Sequence, residues 1–203
     1  GASQWTVDTM LFSNVSQLMG KVFPFTISFT GGGLYEKGSN QTVNLSWSYD
    51  RDITSQSINR ESINVDIRTK QYKDITQNIT YTLSAVYNGQ TYTKSISIEF
   101  GLKKYYGASA YETLTNEEVL ELPYLWAKRA QVSTVFDCSG GKYPYYILPS
   151  SMASGIQFWI GGLRNSDWIE EVREITNAYG YTESYTIFRS NSIQTGVLNI
   201  EVK

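Results

Sequence analysis

Any chemistry in this chain has to come from carboxylates and aromatic rings, because histidine is absent and cysteine occurs once, at Cys138. Without an imidazole there is no Ser-His-Asp or Cys-His pair, and the commonest metal ligand is missing too. Carboxylate-only acid/base catalysis is the main enzymatic route left. The acidic clusters are Glu117-Glu118, Asp167 and Glu170-Glu171-Glu174. Glu117 and Glu118 fall in the first turn of an expected helix, where negative charge complements the macrodipole. The Glu170–Glu174 run is interleaved with Arg173 and reads as a solvated strand or turn. A glycoside-cleaving site needs two carboxylates facing across a cleft from separate elements. No such pair stands out, so the chain reads as non-enzymatic, with no catalytic, cofactor-binding or metal-ligating residues.

The rings are the stronger signal, with 16 tyrosines in 203 residues. The stretch "DCSGGKYPYYILPSS" (Asp137–Ser151) crowds three of them behind a glycine pair. With Gly140-Gly141 at the centre of a hairpin turn, Cys138 opposes Tyr143 and Phe136 opposes Tyr145. That continuously apolar face is expected to be core, and Tyr146 then points outward; a slip of one residue reverses the assignment. Trp159 in "FWIGG", Trp168, and Tyr181 in "NAYGYTESYTIF" complete the set of rings expected at a contact surface. Exposed Trp and Tyr faces suit sugar rings, whereas strand alternation sends at least half of such rings into the core.

The elements that must position these residues are mostly strands. Residues 1–20 fit neither domain and read as a docking or linker segment, with Met10, Leu11, Phe12, Val15, Leu18 and Met19 as its apolar members. Residues 21–101 alternate like half-buried strands. "TVNLSWSY" places Val43, Leu45, Trp47 and Tyr49 on one face. "ITYTLSAVYNGQTYTKSISIEF" reads as a hairpin about Asn88-Gly89, a pair that favours the type I′ turn. "TSQSINRESINV" supplies two short strands. Six or seven short strands in about 80 residues predict an immunoglobulin-like β-sandwich lacking the usual disulfide, with Trp47 as core anchor. Residues 102–203 read as a second β-rich domain with one short helix near 115–127, opened by a Thr115/Glu118 capping box and ended or kinked by Pro123. The fold class is therefore mainly β.

Net charge is −2, and the densest basic cluster is Lys103-Lys104, too little to neutralise several phosphates. Nucleic-acid binding is not expected. No apolar run approaches the ~18 residues of a membrane-spanning helix. The opening "GASQWTVDTMLF" lacks the basic and apolar regions of a signal peptide, which leaves open a leader removed ahead of it. Asn-x-Ser/Thr triplets begin at Asn14, Asn40, Asn44 and Asn78; in a chain rich in these residues they arise by chance.

"LYEKGSNQTVNLSWSYDRDITSQSIN" (Leu34–Asn59) resembles an immunoglobulin-like repeat of tail-associated proteins from phages and prophages of gut Bacteroides-type bacteria. "KYYG" (Lys104–Gly107), "CSGGKYPYYILP" (Cys138–Pro149), "FWIGGLRNSD" (Phe158–Asp167) and "TNAYGYTESYTIFRSN" (Thr176–Asn191) resemble a module that often follows it. The resemblance covers most of residues 25 to 195 and brings no catalytic motif or binding residue with it. It implies a structural or adhesion protein of a virion tail, partnered by other tail proteins or the host surface and commonly a homo-oligomer. The alternative is a cell-surface glycan-binding protein of the same bacteria. Location on a virion or a bacterial surface follows from either.

Overall fold

The structure is a computed structural model that describes residues 24–203; the expected docking segment 1–20 lies outside the described residues. Strands dominate, accompanied by one short α-helix, so the chain is mainly β. It divides into two compact units, the first comprising residues 24–33 and Gln41–Glu99, the second Leu34–Asn40 and Phe100–Lys203. The short segment Leu34–Asn40, placed by the sequence reading inside the first domain, thus belongs with the second.

In the first unit, β1 (Ile27–Thr30), β3 (Gln41–Tyr49) and β6 (Thr69–Ile75) form an antiparallel sheet in the order β1-β3-β6. A second sheet runs β8-β7-β4-β5, from β4 (Ser55–Ile58), β5 (Glu61–Ile63), β7 (Ile79–Tyr87) and β8 (Gln90–Gly101). This is the strand order of an immunoglobulin-like sandwich. The alternation in β3 is realised: Val43, Leu45 and Trp47 are buried, and Thr42, Asn44 and Ser48 are exposed. Tyr87 pairs with Gln90 across Asn88-Gly89, both at positive φ (47° and 74°), as a type I′ turn requires. A buried amide ties the two sheets together. The buried Gln56 accepts hydrogen bonds from Trp47 Nε1 and Tyr49 Oη, each 2.8 Å, and donates through Nε2 to the carbonyls of Asn64 and Ile67.

The second unit contains β9 (Lys103–Ser109), α1 (Asn116–Glu121), β10 (Tyr124–Trp126), β11 (Val132–Asp137), β12 (Tyr143–Pro149), β13 (Phe158–Ile160), β14 (Leu163–Asn165), β15 (Trp168–Thr176), β16 (Thr182–Ser190) and β17 (Val197–Val202). A five-stranded sheet runs β10-β9-β12-β16-β15 and a four-stranded sheet β11-β17-β13-β14. The short strand β2 (Gly33–Glu36) leads into this unit, where Lys37 N donates to Gly101 O (3.0 Å). Helix α1 has the expected capping box. Glu118 N donates to Thr115 Oγ1, and Thr115 N donates to Glu118 Oε2. It stops earlier than 127: Pro123 has no amide hydrogen to continue it, and Tyr124–Trp126 pair with β9 instead.

The hairpin expected at Gly140-Gly141 does not form. Strand β11 pairs with β17, and β12 lies between β9 and β16, so the two strands belong to different sheets. Gly141 N donates to Cys138 O (3.1 Å), and both glycines take φ +82°, making a corner that carries the chain from one sheet to the other. The five-stranded sheet is covered on both faces. Tyr105, Tyr145, Ile147, Tyr185 and Ile187 cluster with Leu114 and Val119 of the helical segment. Tyr146, Leu148 and Phe188 cluster with Phe136, Cys138, Phe158, Ile200 and Val202, which the four-stranded sheet and its flanking residues bring against them.

Candidate functional site

Of the four rings expected at a contact surface, Tyr146 is withdrawn. It is fully buried, at 0% exposure, and its hydroxyl donates to Ala130 O. Burial pushes that hydroxyl well above the ordinary tyrosine range. The cause of the error is double-sided burial: on a strand covered on both faces, neither choice of register sends a ring to solvent. Its neighbour Lys104 is buried too. Lys104 Nζ donates to the carbonyls of Arg129 (2.9 Å), Ala130 (3.3 Å) and Gln131 (2.9 Å), and stands 5.8 Å from the Tyr146 ring centroid. Burial, helped by the Arg129 charge, lowers its pKa from the usual lysine value.

Trp159, Trp168 and Tyr181 are each half-buried, and they occupy three separate places. Register puts Trp159 on the outer face of the four-stranded sheet, opposite Glu201 of β17 and Arg164 of β14. The Lys203 ammonium stands 4.6 Å from its ring centroid and 2.8 Å from Glu201. Val135 and Val197 share this outer face and are exposed, while the alternate residues Phe136 and Ile200 are buried. Tyr181 lies in the turn between β15 and β16. Asn177 Oδ1 accepts from the backbone amides of Tyr179 and Tyr181, and the Lys37 ammonium is 5.6 Å from the Tyr181 ring.

Trp168 opens β15 at the free edge of the five-stranded sheet and stacks on Phe158 of β13, centroids 3.8 Å apart and planes 13° from parallel. The stack sits where the two sheets separate, beside a cleft of about 200 Å³. Ile156, Phe158, Trp168 and Phe188 give the cleft its apolar lining, while Gln157, Arg164, Asn165, Ser166 and Glu170 supply its polar groups. Asn165 Oδ1 accepts from Asp167 N (2.9 Å) and so shapes the bend between β14 and β15. The Trp168 indole N–H is covered and has no hydrogen-bond partner among the described residues, and the same holds for Trp159. Of the cleft's polar members, Glu170 had been read as solvated and Arg164 and Asn165 only as parts of a longer motif. The alternation of β15, with Trp168 and Glu170 two apart, was the signal that could have joined them.

The carboxylates take a different arrangement. Glu112 and Glu171 line a second, smaller cleft of about 90 Å³, each bound to a guanidinium. Glu171 pairs with Arg173 at 2.8 Å and Glu112 with Arg189 at 3.1 Å. Arg173 also donates to Leu114 O, tying β15 to the helical segment. This ion-paired network has an evident structural role. No group of His, Cys, Asp and Glu suited to a metal ion occurs among the described residues. Burial pushes the Cys138 thiol up, away from the reactive thiolate. No described helix is long and apolar enough to cross a membrane. No protein-family model matches the chain, and no curated protein matches it.

Proposed function

We propose that this chain is a non-enzymatic structural and adhesion protein of a phage or prophage tail, working through contacts with other virion proteins or with the host surface. The observation that carries this reading is the outer face of the four-stranded sheet. It presents Trp159, Val135 and Val197 among Ser133, Asn199, Glu201 and Arg164 instead of the uniformly polar exterior of a solvated sheet. Apolar and aromatic groups gathered on an open face, with hydrogen-bonding groups between them, are the composition of a contact surface. The resemblance of Leu34–Asn59 and the "KYYG" and "GGKYPYY" segments to tail-associated modules supplies the virion setting. The sandwich unit acts as a spacer, and the second unit makes the contacts. Mass spectrometry and antibody labelling of phage particles purified from the source bacterium test the reading. The chain is expected in stoichiometric amounts at the tail; its absence from such particles would contradict the proposal.

A further inference from the structure

We infer that the cleft beside the Phe158–Trp168 stack is a binding site for a single uncharged pyranose unit, free or at the end of a surface polysaccharide. The inference rests on the adhesion reading and gives it a ligand class. Size is the first argument. About 200 Å³ is below the roughly 300 Å³ at which pockets for drug-sized molecules begin, so the cleft suits a ligand of a single ring. A hexose ring falls in that range, and an oligosaccharide would have to continue outward into solvent.

Lining chemistry is the second argument. A pyranose has a flat C–H face and a rim of hydroxyls that both donate and accept. The cleft offers the counterpart to each. Trp168 is braced from one side by Phe158, which fixes the indole plane without consuming its other side. Around it stand an amide at Gln157, the Asn165 amide nitrogen, a hydroxyl at Ser166 and a carboxylate at Glu170. The side chains of Gln157, Ser166 and Glu170 make no hydrogen bond or ion pair among the described residues, unlike the guanidinium–carboxylate pairs of the smaller cleft.

Saturation-transfer difference NMR on the full chain, with the methyl pyranosides of glucose, galactose, mannose, rhamnose and N-acetylglucosamine, tests the site. At least one should give signals strongest at its ring C–H protons, with a Kd on the order of 1 mM, as expected for one ring in an open cleft. A purified capsular polysaccharide or lipopolysaccharide run beside them separates a free sugar from a polymer terminus. Glu170→Ala alters an exposed side chain, so the fold survives; it should weaken binding about tenfold. Trp168→Phe should reduce it, and Trp159→Ala, on the outer face, should leave it unchanged. No saturation transfer from any pyranoside or polysaccharide, or transfer indifferent to Glu170→Ala and Trp168→Phe, would overturn the inference. A chain found in tail particles without sugar binding refutes the cleft alone. Sugar binding by a chain missing from particles refutes the tail reading and leaves the cleft standing.

Discussion

At the residue scale the protein stabilises its strands by giving buried polar groups complete sets of partners. Gln56 of one sheet holds Trp47 and Tyr49 of the other, and Lys104 gathers three consecutive carbonyls into one ammonium. Replacing Lys104 by Met keeps the apolar stem and removes all three donors. The carbonyls of Arg129 and Gln131 then lose the ammonium, while Ala130 O keeps the Tyr146 hydroxyl, and the expected cost is about 1–3 kcal/mol in urea denaturation. A variant as stable as the parent would show that water replaces the ammonium at no cost. Tyrosines set the alkaline limit. Burial raises the pKa of Tyr105, Tyr146 and Tyr185, and pushes Tyr145 to about 12. A hydroxyl whose folded pKa exceeds its unfolded value of about 10 stabilises the fold fully below pH ~10, and that stabilisation drains away as pH rises through the folded value. Burial raises Tyr49 and Tyr81 in the same way, so Lys104, with a lowered pKa, works in the opposite direction as one group against six tyrosines. Stability should therefore fall above pH ~10, and absorbance titration near 295 nm should show a set of tyrosines ionising only as the chain unfolds. Smooth titration of all of them near pH 10 with the fold intact would contradict this.

At the element scale, what was legible depended on whether a strand is covered on one face or two. Strands β3 and β7 are covered on one face, alternate cleanly, and were read with their turn and their core residues. Thr115, Glu118 and Pro123 announced the start and stop of α1 because capping and the missing proline amide act locally. Strand β12 is covered on both faces, so "YPYYILP" carries no alternation and its partners could not be counted from the turn. The Gly140-Gly141 pair signalled a sharp reversal, yet a tight turn within a sheet and a corner between sheets demand the same positive φ. Only long-range pairing with β9, β16 and β17 decides between them. Gly140→Ala tests the corner: with φ at +82° and open space around the added methyl, the cost comes from the backbone alone, about 1–2 kcal/mol. A neutral substitution would mean the corner relaxes. The cleft was illegible for a related reason, because only long-range packing of the two sheets and the pairing of β15 with β16 bring residues 156–158, 164–170 and Phe188 together.

At the scale of the whole molecule, two β-rich units share a division of labour: a sandwich with a closed core, and a larger unit whose sheets leave an aromatic cleft and an apolar outer face open. Both features belong to the second unit. Neither carries a pair of carboxylates poised for catalysis, while the carboxylates that do share a cleft are each bound to an arginine. Contact with other surfaces is the function we propose for such an arrangement. Its most direct test is the binding of fluorescently labelled full-length chain to host-type Bacteroides cells, read by flow cytometry with excess unlabelled chain as competitor. The account predicts saturable, competable labelling, reduced by Glu170→Ala in the cleft or by Trp159→Ala on the outer face. Labelling that never saturates, or that survives both substitutions together, would contradict it.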